Sequence, residues 1–121
     1  MLVAQISDTH ILPPTSELPA AQLRADCLER CVAAVNRESP DAVILTGDTV
    51  QHGQPDEYAL LRELLAPLQA PLFMVPGNRD DTEVMRRAFA DASFLPDSGP
   101  FLHYAIEDFD TRLVALDSTL T

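Results

Sequence analysis

The 121-residue sequence has no tryptophan, four glycines, two cysteines and eight basic side chains against nineteen acidic ones. No apolar run reaches the ~18 residues that a membrane span requires, so no spanning helix is expected. The apolar opening Met1-Leu2-Val3-Ala4-Gln5-Ile6 meets Asp8 and His10 before it can serve as a signal-peptide core, and a cytoplasmic protein without membrane partners is the expectation. A formal net charge of -11 repels polyanions and argues against a sequence-independent grip on DNA, RNA or anionic lipid. It does not oppose a small phosphorylated ligand, because a bound metal reverses the field inside one pocket while the surface stays acidic.

The scarcity of cysteine excludes a disulfide framework and leaves no second pair to complete a zinc site beside Cys27 and Cys31. The two are four apart in a helix-like segment, and the expected reading is a pair of buried thiols packing as small hydrophobes. The remaining composition, 46% hydrophobic and 22% charged, is that of a globular domain large enough to bury one core.

Apolar periodicity gives the order of elements. Leu2 to Ile6 and Ala42 to Leu45 are short, partly β-branched runs that end in polar loops, and Leu72 to Val75 is a third. Between the first two, past Pro13, Pro14 and Pro19, the helical spacing of Leu23, Cys27, Cys31 and Val35, supported by Leu28 and Val32, predicts a helix up to about Ser39. Pro55 followed by Asp56 and Glu57 predicts a second helix, with Leu60, Leu61, Leu64, Leu65 and Leu68 as its buried stripe. Asp81 or Thr82 can cap a third, running through Val84, Met85, Ala88 and Phe89. The segments Phe101 to Ile106 and Arg112 to Leu116 read as an antiparallel hairpin. The result is an α/β chain of order βαβαβα-β-β, whose alternating part predicts a parallel sheet.

Metal-binding residue types stand directly after the strands: Asp8 and His10 after the first, Asp48 after the second, Asn78 after the third and Asp117 after the last. Parallel strands bring such loops to one edge of the sheet, the carboxyl end, where open α/β folds hold their ligands. His52 is read as a solvated loop residue and His103 as a packed or surface one.

Asp8-Thr9-His10, then Gly47-Asp48, then Gly77-Asn78 with Asp80, resemble the first three blocks of the calcineurin-like metallophosphoesterase superfamily, D-x-H, G-D and G-N-H-D. The flanking Ile6-Ser7, Thr46, Glu57-Tyr58, Val75-Pro76 and Leu116-Asp117-Ser118 are similar to bacterial class III cyclic nucleotide phosphodiesterases and their glycerophosphodiesterase relatives. The resemblance implies the N-terminal half of an αββα sandwich over residues 1–121, truncated before the G-H-x-H blocks that supply further histidines. It implies that Asp8, His10, Asp48 and Asn78 are metal ligands, with Asp48 bridging two divalent ions (Mn, Fe or Zn) in a complete site. It also implies hydrolysis of a small phosphodiester by metal-activated hydroxide, with Arg79 and Asp80 near the phosphate. The pattern departs at Arg79, where the family has histidine. The alternative is a catalytically dead binding or assembly module, and a sheet face left bare by an absent second half predicts a homo-oligomer.

Overall fold

A computed structural model describes residues 1–14 and 19–119. Part of the irregular stretch expected before the first helix, residues 15–18, lies outside that range. The elements form in the expected order: β1 (Val3–Ile6), α1 (Ala21–Glu38), β2 (Ala42–Thr46), α2 (Pro55–Leu65), β3 (Leu72–Val75), α3 (Thr82–Ala88), β4 (Tyr104–Ile106) and β5 (Leu113–Ala115). The first three strands pair in parallel in the order β1-β2-β3, and β4 and β5 form the antiparallel hairpin.

Local chemistry explains where the helices begin and end. In α2, Gln54 and Glu57 form a reciprocal capping box on either side of Pro55. In α3, Asp81 is the cap, its Oδ1 accepting from the Val84 amide at 3.0 Å. α1 stops at Ser39, which takes a left-handed conformation just before Pro40.

Alternation along the strands divides the core in two. Ile6, Val43, Leu45 and Met74 belong to the cluster packed with the helices, where Leu28, Val32, Tyr58, Leu61, Leu65 and Met85 meet them. Ala42 and Phe73 belong to a second cluster with Ile106, flanked by Ile44, Phe94, Tyr104, Phe109 and Leu113. The rings of Phe94 and Phe109 meet Phe73 edge-on, at centroid distances of 5.2 and 6.2 Å. The second sheet face is therefore covered in part by the hairpin instead of lying bare. On the same face β1 presents an exposed Gln5, which donates to Thr46 Oγ1 at 2.9 Å.

One expectation is overturned in part in α1. Its buried face is Ala21, Ala25, Leu28 and Val32, with Cys31 and Val35 packed at its margin, so the expected stripe holds at Leu28, Val32, Cys31 and Val35 and fails at Leu23, which is 59% exposed, and at Cys27, which is exposed. Two overlapping stripes exist in this helix, and the small alanines complete the one centred on Leu28 and Val32. The reading of Cys27 and Cys31 as two buried thiols therefore fails for Cys27, while Cys31 packs at the margin of the core.

Candidate metal centre

The loops after β1 and β2 continue side by side beyond the strands. The Asp8 amide donates to Gly47 O at 3.1 Å, that of His10 to Asp48 O at 3.0 Å, and that of Ile11 to Thr49 O at 3.0 Å. The Gly47 amide in turn donates to Val75 O at 3.0 Å, which joins the loop after β3 to the other two. This zipper sets Asp8 and His10 beside Asp48.

Backbone strain is concentrated in the same place. Asp8, His10 and Asp48 have φ of 57°, 46° and 48°; among the described residues the only other non-glycine with positive φ is Ser39, at the end of α1. Left-handed conformations of non-glycine residues cost on the order of 1–3 kcal/mol each and persist only where surrounding contacts impose them. Here those contacts are identifiable. The Ser7 hydroxyl sits between the Asp8 carboxylate and Thr46 O, Thr9 Oγ1 donates to Thr49 O at 2.8 Å, and the Arg24 guanidinium donates to His10 O at 3.1 Å and Gln51 Oε1 at 2.9 Å.

The side chains of Asp8, His10 and Asp48 converge, each offering one ligand atom within 4.8 Å of the others. His10 Nε2 lies 3.8 Å from Asp8 Oδ1 and 3.9 Å from Asp48 Oδ2, too far for hydrogen bonds and close enough to share one cation. The Asn78 amide comes within 3.0 and 3.1 Å of the two Asp48 oxygens. Its NH₂ donates to them, and an amide oxygen is of a donor type that divalent metals accept. His10 Nδ1 is buried and has no partner among the described residues. Two carboxylates, an imidazole and an amide oxygen suit Mn, Fe or Zn, and no side chain among those described neutralises the carboxylates by a closer ion pair. The residues present fit a divalent metal.

Asp8, Asp48 and Asn78 line a cleft of about 870 Å³, bounded also by Gly47, Gly77, Asp80, Thr82, Glu83 and Thr119.

The other expected site residues are placed as follows. The Arg79 amide donates to Asp48 Oδ1 at 2.8 Å, whereas its side chain is exposed and makes no hydrogen bond or ion pair with the described residues. The Asp80 carboxylate touches the cleft but is committed to the chain itself. It accepts from the Thr49 amide at 3.1 Å, the Gly77 amide at 2.8 Å, the Thr49 hydroxyl and the Tyr58 hydroxyl at 2.8 Å. Asp117 stands apart from the cluster. It is buried, and accepts from the Leu102 amide at 2.9 Å and from the Thr119 amide and hydroxyl at 3.0 and 2.6 Å. His103 is exposed and accepts from the Asp117 amide at 3.0 Å; His52 is exposed, and its amide donates to Glu57 Oε1 at 2.8 Å.

Tyr58 carries part of the family resemblance, and its role is one that sequence reasoning did not assign. It is fully buried, its hydroxyl donating to Asp80 Oδ1 and accepting from the Asp81 amide at 3.0 Å. Burial first, and the Asp80 carboxylate second, push its phenol far above the ordinary value, so it stays protonated and donates. The signal was available: extending the α2 stripe back one turn from Leu61 and Leu65 reaches position 58.

Comparison with known proteins agrees with this geometry. Residues 1–117 match the family model described as Calcineurin-like phosphoesterase. The chain is 39% identical over 127 residues to the glycerophosphodiester phosphodiesterase GpdQ of Enterobacter lignolyticus, an alignment covering 99% of this chain and 44% of that protein. It is 35% identical to the probable GpdQ of Arcobacter nitrofigilis, over 99% of this chain and 44% of the relative. It is 34% identical to the 3',5'-cyclic adenosine monophosphate phosphodiesterase CpdA of Pseudomonas aeruginosa, over 99% and 42%. The chain thus spans about two fifths of the length of these curated relatives, 42% to 44%. With a family match running through all three strand-end loops that hold Asp8, His10, Asp48 and Asn78, the chain belongs to the calcineurin-like phosphoesterase family.

Proposed function

We propose that this chain carries metal-binding residues of a phosphodiesterase acting on small phosphodiesters of the glycerophosphodiester or cyclic nucleotide type. The observation that carries the proposal is the convergence of Asp8, His10 and Asp48 within 4.8 Å, with the Asn78 amide against Asp48. Asp8, His10 and Asp48 would hold one divalent ion, and Asp48 and Asn78 would contribute to a second. A bound divalent metal supplies Lewis acidity, withdrawing charge from a phosphoryl oxygen and acidifying water.

The chain's own residues prepare that chemistry. Ser7 orients the Asp8 carboxylate, Arg24 anchors the backbone at His10, and the Arg79 amide holds Asp48 Oδ1. Arg79 follows Asn78 directly and its side chain is exposed, so its guanidinium is free to attract a phosphoryl group through its fork of donors. Asp80, expected near the phosphate, borders the cleft while its carboxylate also ties the loops together. The activities for which the relatives are named support both substrate types, a glycerophosphodiester and a cyclic nucleotide.

Titration with Mn²⁺ tests the reading directly. Mn²⁺ should raise the melting temperature of the chain by preferential binding to the folded state. Asp48→Ala should abolish that shift, and hydrolysis of bis(p-nitrophenyl) phosphate should require both Mn²⁺ and Asp48. Mn²⁺ binding to Asp48→Ala as tight as to the parent would overturn the assignment.

A further inference from the structure

We propose that Tyr58 is a positioning residue for the metal centre: acting through Asp80, it fixes the loop that carries Asp48 to the loop that carries Asn78. The inference rests on the metal reading above and extends it to a residue of α2 that touches none of the proposed ligands.

The argument begins with sequence adjacency. Thr49 follows Asp48, and Gly77 precedes Asn78. The Asp80 carboxylate takes the backbone amides of both, at 3.1 and 2.8 Å on the same oxygen, Oδ2. One carboxylate oxygen therefore sets the spacing between the peptide units next to two proposed ligands. The other oxygen, Oδ1, receives the Thr49 and Tyr58 hydroxyls.

Tyr58 determines which way this carboxylate faces. Asp80 also borders the cleft, so a free carboxylate could swing in and compete as a donor for a cation. The Tyr58 ring is fully buried, and its hydroxyl both donates to Asp80 Oδ1 and accepts from the Asp81 amide. The hydroxyl thus secures Asp80 from the helix side and satisfies a backbone donor that would otherwise be left unpaired in a partly buried loop. Phenylalanine fills the same volume and can do neither. Groups that orient ligands from behind are typically worth 10- to 100-fold in metal affinity.

Tyr104 supplies a matched control. It too places a largely buried hydroxyl on a chain acceptor, Met74 O, but in the cluster on the other face of the sheet. Mn²⁺ affinity should be measured on the folded chain at low temperature for the parent, Tyr58→Phe and Tyr104→Phe, together with amide hydrogen exchange at Thr49 and Gly77. Tyr58→Phe should raise the Mn²⁺ Kd by ~10-fold or more and speed exchange at both amides. Tyr104→Phe should leave Kd within about twofold of the parent, as expected for a hydroxyl outside the ligand-orienting set. Parent-like affinity in Tyr58→Phe would overturn the positioning role, as would equal losses in the two variants, which mark a global effect. A parent chain that binds no Mn²⁺ would overturn the metal reading and the positioning role with it, an outcome visible before any variant is compared.

Discussion

Gly77 lies against Asp48 so closely that a Cβ on Gly77 would stand 2.5 Å from Asp48 Oδ1, 2.9 Å from Gly47 Cα, and nearer still to the Asp48 amide nitrogen. Two of these neighbours are backbone atoms of the turn that carries Asp48, so no flexible side chain can yield. The glycine is required by the approach of two loops, and that approach is what brings the Asn78 amide onto the Asp48 carboxylate.

Gly77→Ala should therefore both destabilise the chain and weaken the site. Overpacking of this kind typically costs about 1–3 kcal/mol. Urea unfolding should show that loss, and Mn²⁺ affinity should fall as Asp48 and Asn78 are pushed apart. Parent-like stability together with parent-like Mn²⁺ affinity would show that the two loops are free to separate.

The fold was legible because its signals are local. Each strand is a short apolar run stopped by a polar turn, α2 begins at a proline within a capping box and α3 at an aspartate cap, and the alternation of strands and helices implies a parallel sheet. The strand-end positions of Asp8, His10 and Asp48 were legible for the same reason, since topology alone brings those loops together. What stayed hidden depends on orientation. The face that α1 buries is chosen between two overlapping stripes by its fit to the sheet, which periodicity cannot decide when Ala21 and Ala25 compete with Leu23 and Cys27. Asp80 has the residue type and the neighbourhood of a phosphate contact, yet Thr49, Gly77 and Tyr58, up to 31 positions away, claim its oxygens. Asp117 likewise shares the strand-end position of the proposed ligands, and its carboxylate is occupied by Leu102 and Thr119.

Asp117 gives the chain a pH-dependent element of stability. Burial alone raises its pKa, but hydrogen bonds from Thr119 and Leu102 and the nearby His103 imidazole outweigh it and hold the carboxyl below its ordinary range. A carboxyl depressed in the folded state contributes stability that is present above the unfolded value of ~3.9 and is lost as pH falls through the folded value. Asp117→Asn removes the titration, and its single oxygen cannot accept from all three donors. The variant should be less stable than the parent near neutrality, and the gap should narrow as pH falls below ~4. Urea unfolding of both proteins across this range measures the gap; a constant difference would show that Asp117 has the same pKa folded and unfolded.

On the proposed phosphodiesterase reading, and with the metal site completed, Arg79 separates binding from proton transfer. Its amide supports Asp48 in any substitution that keeps the backbone, so exchanging the side chain leaves that contact intact. The guanidinium, with a pKa above ~12, can attract negative charge but cannot protonate a departing alkoxide near neutral pH. Rates should therefore follow the quality of the leaving group, aryl phosphodiesters being cleaved far faster than alkyl or cyclic ones. An imidazole at this position can donate a proton, and general acid catalysis is typically worth ~10²–10⁴-fold. Arg79→His should accordingly raise kcat/KM for the alkyl or cyclic substrate by up to that order and change the aryl value much less. Equal gains on both substrates would assign Arg79 to binding or folding, and no gain on either would place its side chain outside the reaction.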